Sequence, residues 1–260
     1  MNKNHTESGF FSHLAELRKR LIYSFIFLII LFAFFYYFAE FVYGFLVEPY
    51  ADAVKNKNDN LERRLIFTAL QETFITYLKV SFFSAFFVTS PFILIQIWKF
   101  IAPGLYSHEK TAILPYLIAT PFLFFLGGIV VYYLIMPLMI QFFLSFESSG
   151  LNTNLPIQLE AKVNEYLSLI MKLIFAFGLS FQLPVVLSLL ARVGIVDSEF
   201  LKTRRKYVVV IIFAAAALLT PPDPITQIGL AVPLLILYEL SIFSVKFIEN
   251  KELKKNNARS

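Results

Sequence analysis

Residues 113–142 read ILPYLIATPFLFFLGGIVVYYLIMPLMIQF, thirty positions without one Asp, Glu, Lys or Arg. About 20 helical residues of this kind cross a hydrocarbon core of about 30 Å, so this stretch has the length and composition of a membrane span. Lipid hydrogen-bonds no backbone group, so such a segment satisfies its own amides as a helix. Working outward, five more apolar stretches appear, and together the six run roughly 21–39, 74–98, 113–142, 163–190, 208–221 and 225–245. The expectation is an all-α integral membrane protein with six transmembrane helices, a single polytopic membrane domain over 1–260.

The composition agrees. The 260 residues are 58% hydrophobic and only 16% charged, with mean hydropathy +0.68. The fifth stretch is short: fourteen residues reach about 21 Å as a helix, and Thr220-Pro221-Pro222-Asp223-Pro224 ends it abruptly. The last two spans are therefore expected to form a short hairpin, which local thinning of the bilayer would accommodate. Within the longer spans Pro91, Pro121, Pro137 and Pro184 each remove a backbone donor and are expected to bend their helices. The first apolar run has no small-residue cleavage site behind it and reads as a retained span rather than a signal peptide.

Orientation follows from Lys and Arg, which accumulate on the cytoplasmic side. The N-terminus, the 99–112 loop, the 191–207 loop and the tail from Lys246 hold 16 of them, against five in the alternate loops. Both termini are thus expected in the cytoplasm. Topology and attraction to anionic lipid account for these basic clusters, including Arg204, Arg205 and Lys206, without nucleic acid as a partner.

Little in the chain carries catalytic chemistry. With no cysteine, disulfides, thiolate metal sites and cysteine nucleophiles are excluded. His5, His13 and His108 are too scattered for a metal site, and no HExxH, GxSxG or phosphate-binding glycine loop occurs. No enzymatic activity, metal or cofactor is expected. Polar positions inside the spans are functional candidates because burying them is costly; they are Lys79, Lys172, Gln182 and Glu239. Lys79 lies close enough to its boundary to snorkel, and Glu239 is expected to pair with a cytoplasmic base. The opening Glu16-Leu17-Arg18-Lys19-Arg20 has two readings: Glu16 is either the intrahelical partner of Arg20 at i+4 or a site for a cationic ligand. Glu109 in the 99–112 loop has the same ambiguity.

Four stretches carry a resemblance. His13 to Leu21 (HLAELRKRL), Phe100 to Glu109 (FIAPGLYSHE), Phe175 to Pro184 (FAFGLSFQLP) and Leu219 to Asp223 (LTPPD) resemble the TatC family of twin-arginine translocases, in family order and over roughly residues 12–248. The resemblance implies a glove-shaped, curved bundle of six helices with a short fifth and sixth, in the bacterial cytoplasmic (inner) membrane. It implies a receptor and core subunit of protein export that recognises twin-arginine signal peptides on the cytoplasmic side. Small single-span TatA-type and TatB-type proteins, membrane lipid and further copies of the chain would be its partners, and the proton-motive force its energy source. Carried over residue by residue, the signal-peptide site comprises Glu16, Arg18, Phe100, Leu105, Tyr106 and Glu109. Pro49 and Asp223 match positions of structural or partner-contact role. Gln182 stands where some members place a glutamate, so an argument that needs charge there does not transfer; it is expected to make a neutral intramembrane polar contact. The competing reading, a gradient-driven small-solute secondary transporter, would use Lys172, Gln182 and Glu239 as a midplane site.

Overall fold

The computed structural model describes residues 4–55, 63–105, 114–148, 155, 157–220 and 224–257. Nine helices are defined there: α1 (Asn4–Tyr37), α2 (Ala39–Lys55), α3 (Glu72–Leu105), α4 (Leu114–Val130), α5 (Met136–Leu144), α6 (Val163–Ser180), α7 (Leu183–Arg192), α8 (Ser198–Leu219) and α9 (Pro224–Asn257). Among the described residues β-structure is confined to the isolated bridges Ile66–Lys162 and Ser148–Ile157. Five stretches are long and apolar enough to cross a membrane: Ala15–Tyr37, Glu72–Phe100, Pro115–Leu144, Val163–Arg192 and Thr226–Lys251. The fifth apolar stretch of the sequence falls in α8, whose apolar part is the twelve residues 208–219, about 18 Å of helix, and it is not among these five. The protein is an all-α, multi-pass membrane protein.

Helix ends differ from the apolar limits because helices continue into polar sequence once their apolar part is anchored. α1 begins seventeen residues before the apolar run, α3 continues to Leu105 instead of stopping near 98, and α8 includes the basic run 202–206. The segment after the first span is itself a helix, α2, with Pro49 inside it. The prolines divide into two kinds. Pro137 follows a π-helical turn at Val131–Ile135, and Pro184 stands at the start of α7, just past the end of α6. In both places the missing N–H and the ring clash with the preceding turn force a change of register. By contrast, α3 and α4 run through Pro91 and Pro121 without interruption of the helix.

The chain divides into two compact units, residues 1–43 with 77–122, and residues 44–76 with 123–260. In the first, α1 and α3 run antiparallel, as side-chain contacts show: Phe27 on Phe92 and Phe32 on Phe82, with ring centroids 5.3 and 6.4 Å apart, and Tyr43 at the start of α2 continues the series on Tyr77 at 5.8 Å. Such tilted and edge-on aromatic pairs each add about 0.5–1.5 kcal/mol beyond burial, which explains part of the phenylalanine excess.

The second unit holds the fully buried side chains Val131, Met136, Val163, Leu167, Ile170, Leu173, Phe177, Leu230 and Val245. α7, α8 and α9 pack around Ala191, Leu201, Tyr238, Ile242 and Val245. Polar clasps fix this packing. Tyr238 donates to the Leu201 carbonyl (2.8 Å), and Ser188 and Ser244 share a hydrogen bond (2.8 Å). The start of α8 is capped twice, by Asp197 accepting from Phe200 N and by Glu249 accepting from Ser198 N and Oγ. These carboxylates satisfy the orphan donors of the first turn and oppose the helix dipole.

Candidate functional site

The recognition candidates that the structure describes lie on α1 and α3. Glu16 and Arg18 lie exposed on α1, and Phe100 is half-buried on α3. Arg20 donates from Nε (3.1 Å) and a terminal nitrogen (2.5 Å) to Glu16 Oε1, and from its other terminal nitrogen to Gln96 Oε1 (2.7 Å). The i+4 partnership read from sequence is therefore present, and Gln96 extends it to α3. Next to this cluster, Leu17, Arg18, Leu21, Ile22 and Phe25 line an open groove of about 390 Å³ along α1. A carboxylate, neighbouring cations and an apolar strip thus share one helix. Leu105 closes α3, while Tyr106 and Glu109 lie outside the described residues.

In the second unit Gln182 sits between α6 and α7 and is 4% exposed. Its N–H bonds Leu179 O (3.0 Å) and its carbonyl accepts from Val186 N (2.9 Å), so the backbone re-forms helix directly after the break. Glu239 pairs with Arg205 (2.7 Å), the basic partner expected for it. Lys172 and Lys79 are exposed. The three midplane candidates of a transporter thus occupy unlike settings: an exposed lysine, a buried amide and a carboxylate in an ion pair. Pro49 is buried and lines a cavity of about 310 Å³ with Glu48, Asp52, Ala53, Tyr132, Tyr133, Pro137 and Gln141. Asp223 is outside the described residues.

One constellation escaped the sequence reading. Arg63, counted there only as an external cation, forms a buried ion pair with Glu147, their side chains 1% and 4% exposed. Its Nε bonds both carboxylate oxygens (3.1 and 3.0 Å) and a terminal nitrogen bonds Oε2 (2.9 Å). Glu147 also accepts from Leu159 N at 3.1 Å. Nearby, burial pushes the Tyr50 hydroxyl above its ordinary pKa; the Glu147 charge adds to the shift and the Arg63 charge opposes it.

Comparison with known proteins decides the family. The sequence model described as Sec-independent protein translocase protein (TatC) matches residues 12–233. The chain belongs to the TatC family. Among TatC proteins it is 46% identical to that of Magnetococcus marinus, over 95% of this chain and 87% of the relative. It is 39% identical to that of Aquifex aeolicus, over 94% and 98%, and 35% identical to that of Escherichia coli K12, over 92% and 89%. A crystal structure of the twin arginine translocase receptor TatC superposes with a TM-score of 0.76 at 39% identity, covering 90% of this chain and 98% of that one. These relatives are named for translocation and reception rather than for a catalysed reaction.

Proposed function

We propose that this TatC-family protein is the receptor and core subunit of a twin-arginine export system in the bacterial inner membrane. On this reading it binds the signal peptide at the cytoplasmic ends of α1 and α3, through Glu16, Arg18, Phe100, Leu105, Tyr106 and Glu109. It then assembles with TatA-type and TatB-type single-span proteins and further copies of itself, as one membrane domain that moves folded cargo at the expense of the proton-motive force. The observation that carries the reading is the Glu16 carboxylate standing at the head of an apolar groove on α1. A peptide with paired arginines ahead of an apolar run has the complementary pattern, because a planar guanidinium is best held by carboxylates in charge-assisted bonds. Gln182, buried at the break before Pro184, is assigned a neutral intramembrane polar contact with a partner's transmembrane helix or the signal peptide. Pro49 and Asp223 keep structural or partner-contact roles.

Two experiments test this. Glu16→Ala and Glu109→Ala are each expected to weaken binding of a two-arginine precursor about tenfold to a hundredfold, as loss of a charge-assisted hydrogen bond worth about 1.5–3 kcal/mol predicts. A matched two-lysine precursor, which already forgoes the fork geometry, should lose less. Equal losses for both precursors, measured by equilibrium binding, would reduce the carboxylates to general electrostatics. Orientation is tested by single cysteines in this cysteine-free chain. Arg204→Cys should react with an impermeant thiol reagent only from the cytoplasmic side and Asn58→Cys only from outside; external labelling at 204 overturns the topology.

A further inference from the structure

The cluster at the inner end of α1 contains, in the chain itself, the chemistry ascribed above to the ligand. A guanidinium, that of Arg20, already lies on the Glu16 carboxylate, with two of its nitrogens on Oε1. It is not a loose surface pair. The Arg20 side chain is only 24% exposed, and its remaining terminal nitrogen is tied to Gln96 Oε1 on α3 at 2.7 Å. Ser24 Oγ in turn donates to the Arg20 carbonyl (3.0 Å), one turn along the same helix. The anchor on Gln96 matters energetically. A long side chain loses rotamer entropy when it settles on a carboxylate, and a second hydrogen bond holding the guanidinium in place removes most of that loss in advance.

We propose that Arg20 is a built-in competitor for Glu16: it occupies the recognition carboxylate in the unliganded receptor, and a signal arginine binds there by displacing it. The inference rests on the reading that Glu16 contacts the signal peptide. Gln96 is what makes displacement workable, because an Arg20 released from Glu16 keeps one hydrogen-bond partner and does not leave a stranded charge at a half-buried position. The arrangement sets affinity rather than selectivity. Breaking the Arg20–Glu16 pair costs the same whichever cation arrives, so the internal guanidinium weakens two-arginine and two-lysine peptides by a common factor. Discrimination between them stays with the geometry of the contact that replaces it. A receptor that must release its cargo to a translocation step gains from such a lowered affinity, since residence time follows mainly from the dissociation rate.

The test is a binding cycle on the full chain in lipid nanodiscs, with a fluorescent peptide carrying two arginines before an apolar run. Arg20→Gln, which keeps a polar group beside Gln96, should bind the peptide about twofold to fivefold tighter, the upper part of the range for ion pairs that are still partly exposed. In a Glu16→Gln background the same Arg20→Gln change should give no gain. Other cations stand nearby, Arg18 and Lys19 on α1 and Lys99 on α3, and removing a positive charge could help any cationic peptide. A gain that persists without the Glu16 carboxylate would therefore assign the effect to general charge and overturn the proposal, as would weaker binding by Arg20→Gln alone. Should Arg20→Gln fail to accumulate, Gln96→Glu decides, because it keeps the guanidinium bridge to α3 while drawing Arg20 off Glu16. It too should tighten binding, and only where Glu16 is intact. A Glu16→Gln change without effect on binding would instead remove the recognition reading itself, a result distinct from all of these.

Discussion

Arg63→Ala is expected to destabilise the protein by about 3–5 kcal/mol, read as a shift in denaturant unfolding in mixed micelles. The figure is the usual consequence of removing one member of a buried ion pair, which leaves the other charge without compensation in a medium that solvates it poorly. Here the survivor would be Glu147, 4% exposed and already bonded to the Leu159 amide. The damage should spread to the backbone links that the same region makes among the described residues: Ile66 N to Ala161 O, Val163 N to Ile66 O, and the reciprocal pair between Ser148 and Ile157. Arg63→Lys should be intermediate, since an ammonium does not reproduce three bonds to two carboxylate oxygens. Replacing the pair together, Arg63→Met with Glu147→Leu, should recover most of the loss, as apolar substitutes for buried ion pairs commonly do. The recovery stops short of complete because the Leu159 N–H loses its acceptor. A single Arg63→Ala variant within 1 kcal/mol of the unaltered protein would mean that Glu147 is solvated and the pair incidental.

That ion pair also marks how far the sequence can be read. Spans are legible because lipid imposes one rule on about 20 consecutive residues, and all six apolar stretches became helices. Local pairing is legible where spacing fixes it: Glu16 and Arg20 are one helical turn apart, and that bond is present. Arg63 and Glu147 lie 84 positions apart, and counting external cations says nothing about which of them is buried. Gln96 was missed for the same reason. Its role appears only once the antiparallel register of α1 and α3 brings it to Arg20, and an amide at the end of an apolar run carries no signal of that. Helix ends are not legible in hydropathy, which reports where lipid stops, whereas backbone hydrogen bonding continues into water. At Pro91 and Pro121 the helix goes on despite a missing donor, and nothing in the sequence separates these two prolines from Pro137 and Pro184. Glu16 and Arg18 lie on α1 and Phe100 on α3, and their part in recognition is left to the binding experiments.

Gly127→Ala is expected to cost about 1–3 kcal/mol, the range for forcing extra volume into a close-packed contact, although alanine is ordinarily the better helix former. A Cβ at residue 127 would lie 2.7 Å from the Phe177 carbonyl oxygen, 2.8 Å from its carbon and 2.9 Å from Gly178 N. All three are backbone atoms of α6, so relief requires moving a helix, not rotating a side chain. Small residues of this kind let helices approach closely in membranes, where no hydrophobic force drives them together and packing must hold them. The facing position behaves differently. A Cβ on Gly178 would meet the ring of Phe124 at 2.8 Å, a side chain with 0% exposure that fills the space the glycine leaves. Trimming that ring by Phe124→Leu should therefore rescue much of a Gly178→Ala defect and none of a Gly127→Ala defect. Gly44 supplies the contrast. It lies within α2 with nothing in 4 Å of its would-be Cβ, so Gly44→Ala should stabilise by about 0.5–1 kcal/mol through helix propensity alone. Thermal unfolding of the variants in one detergent separates these outcomes. If Gly127→Ala proves as benign as Gly44→Ala, α4 and α6 do not meet backbone to backbone at this crossing.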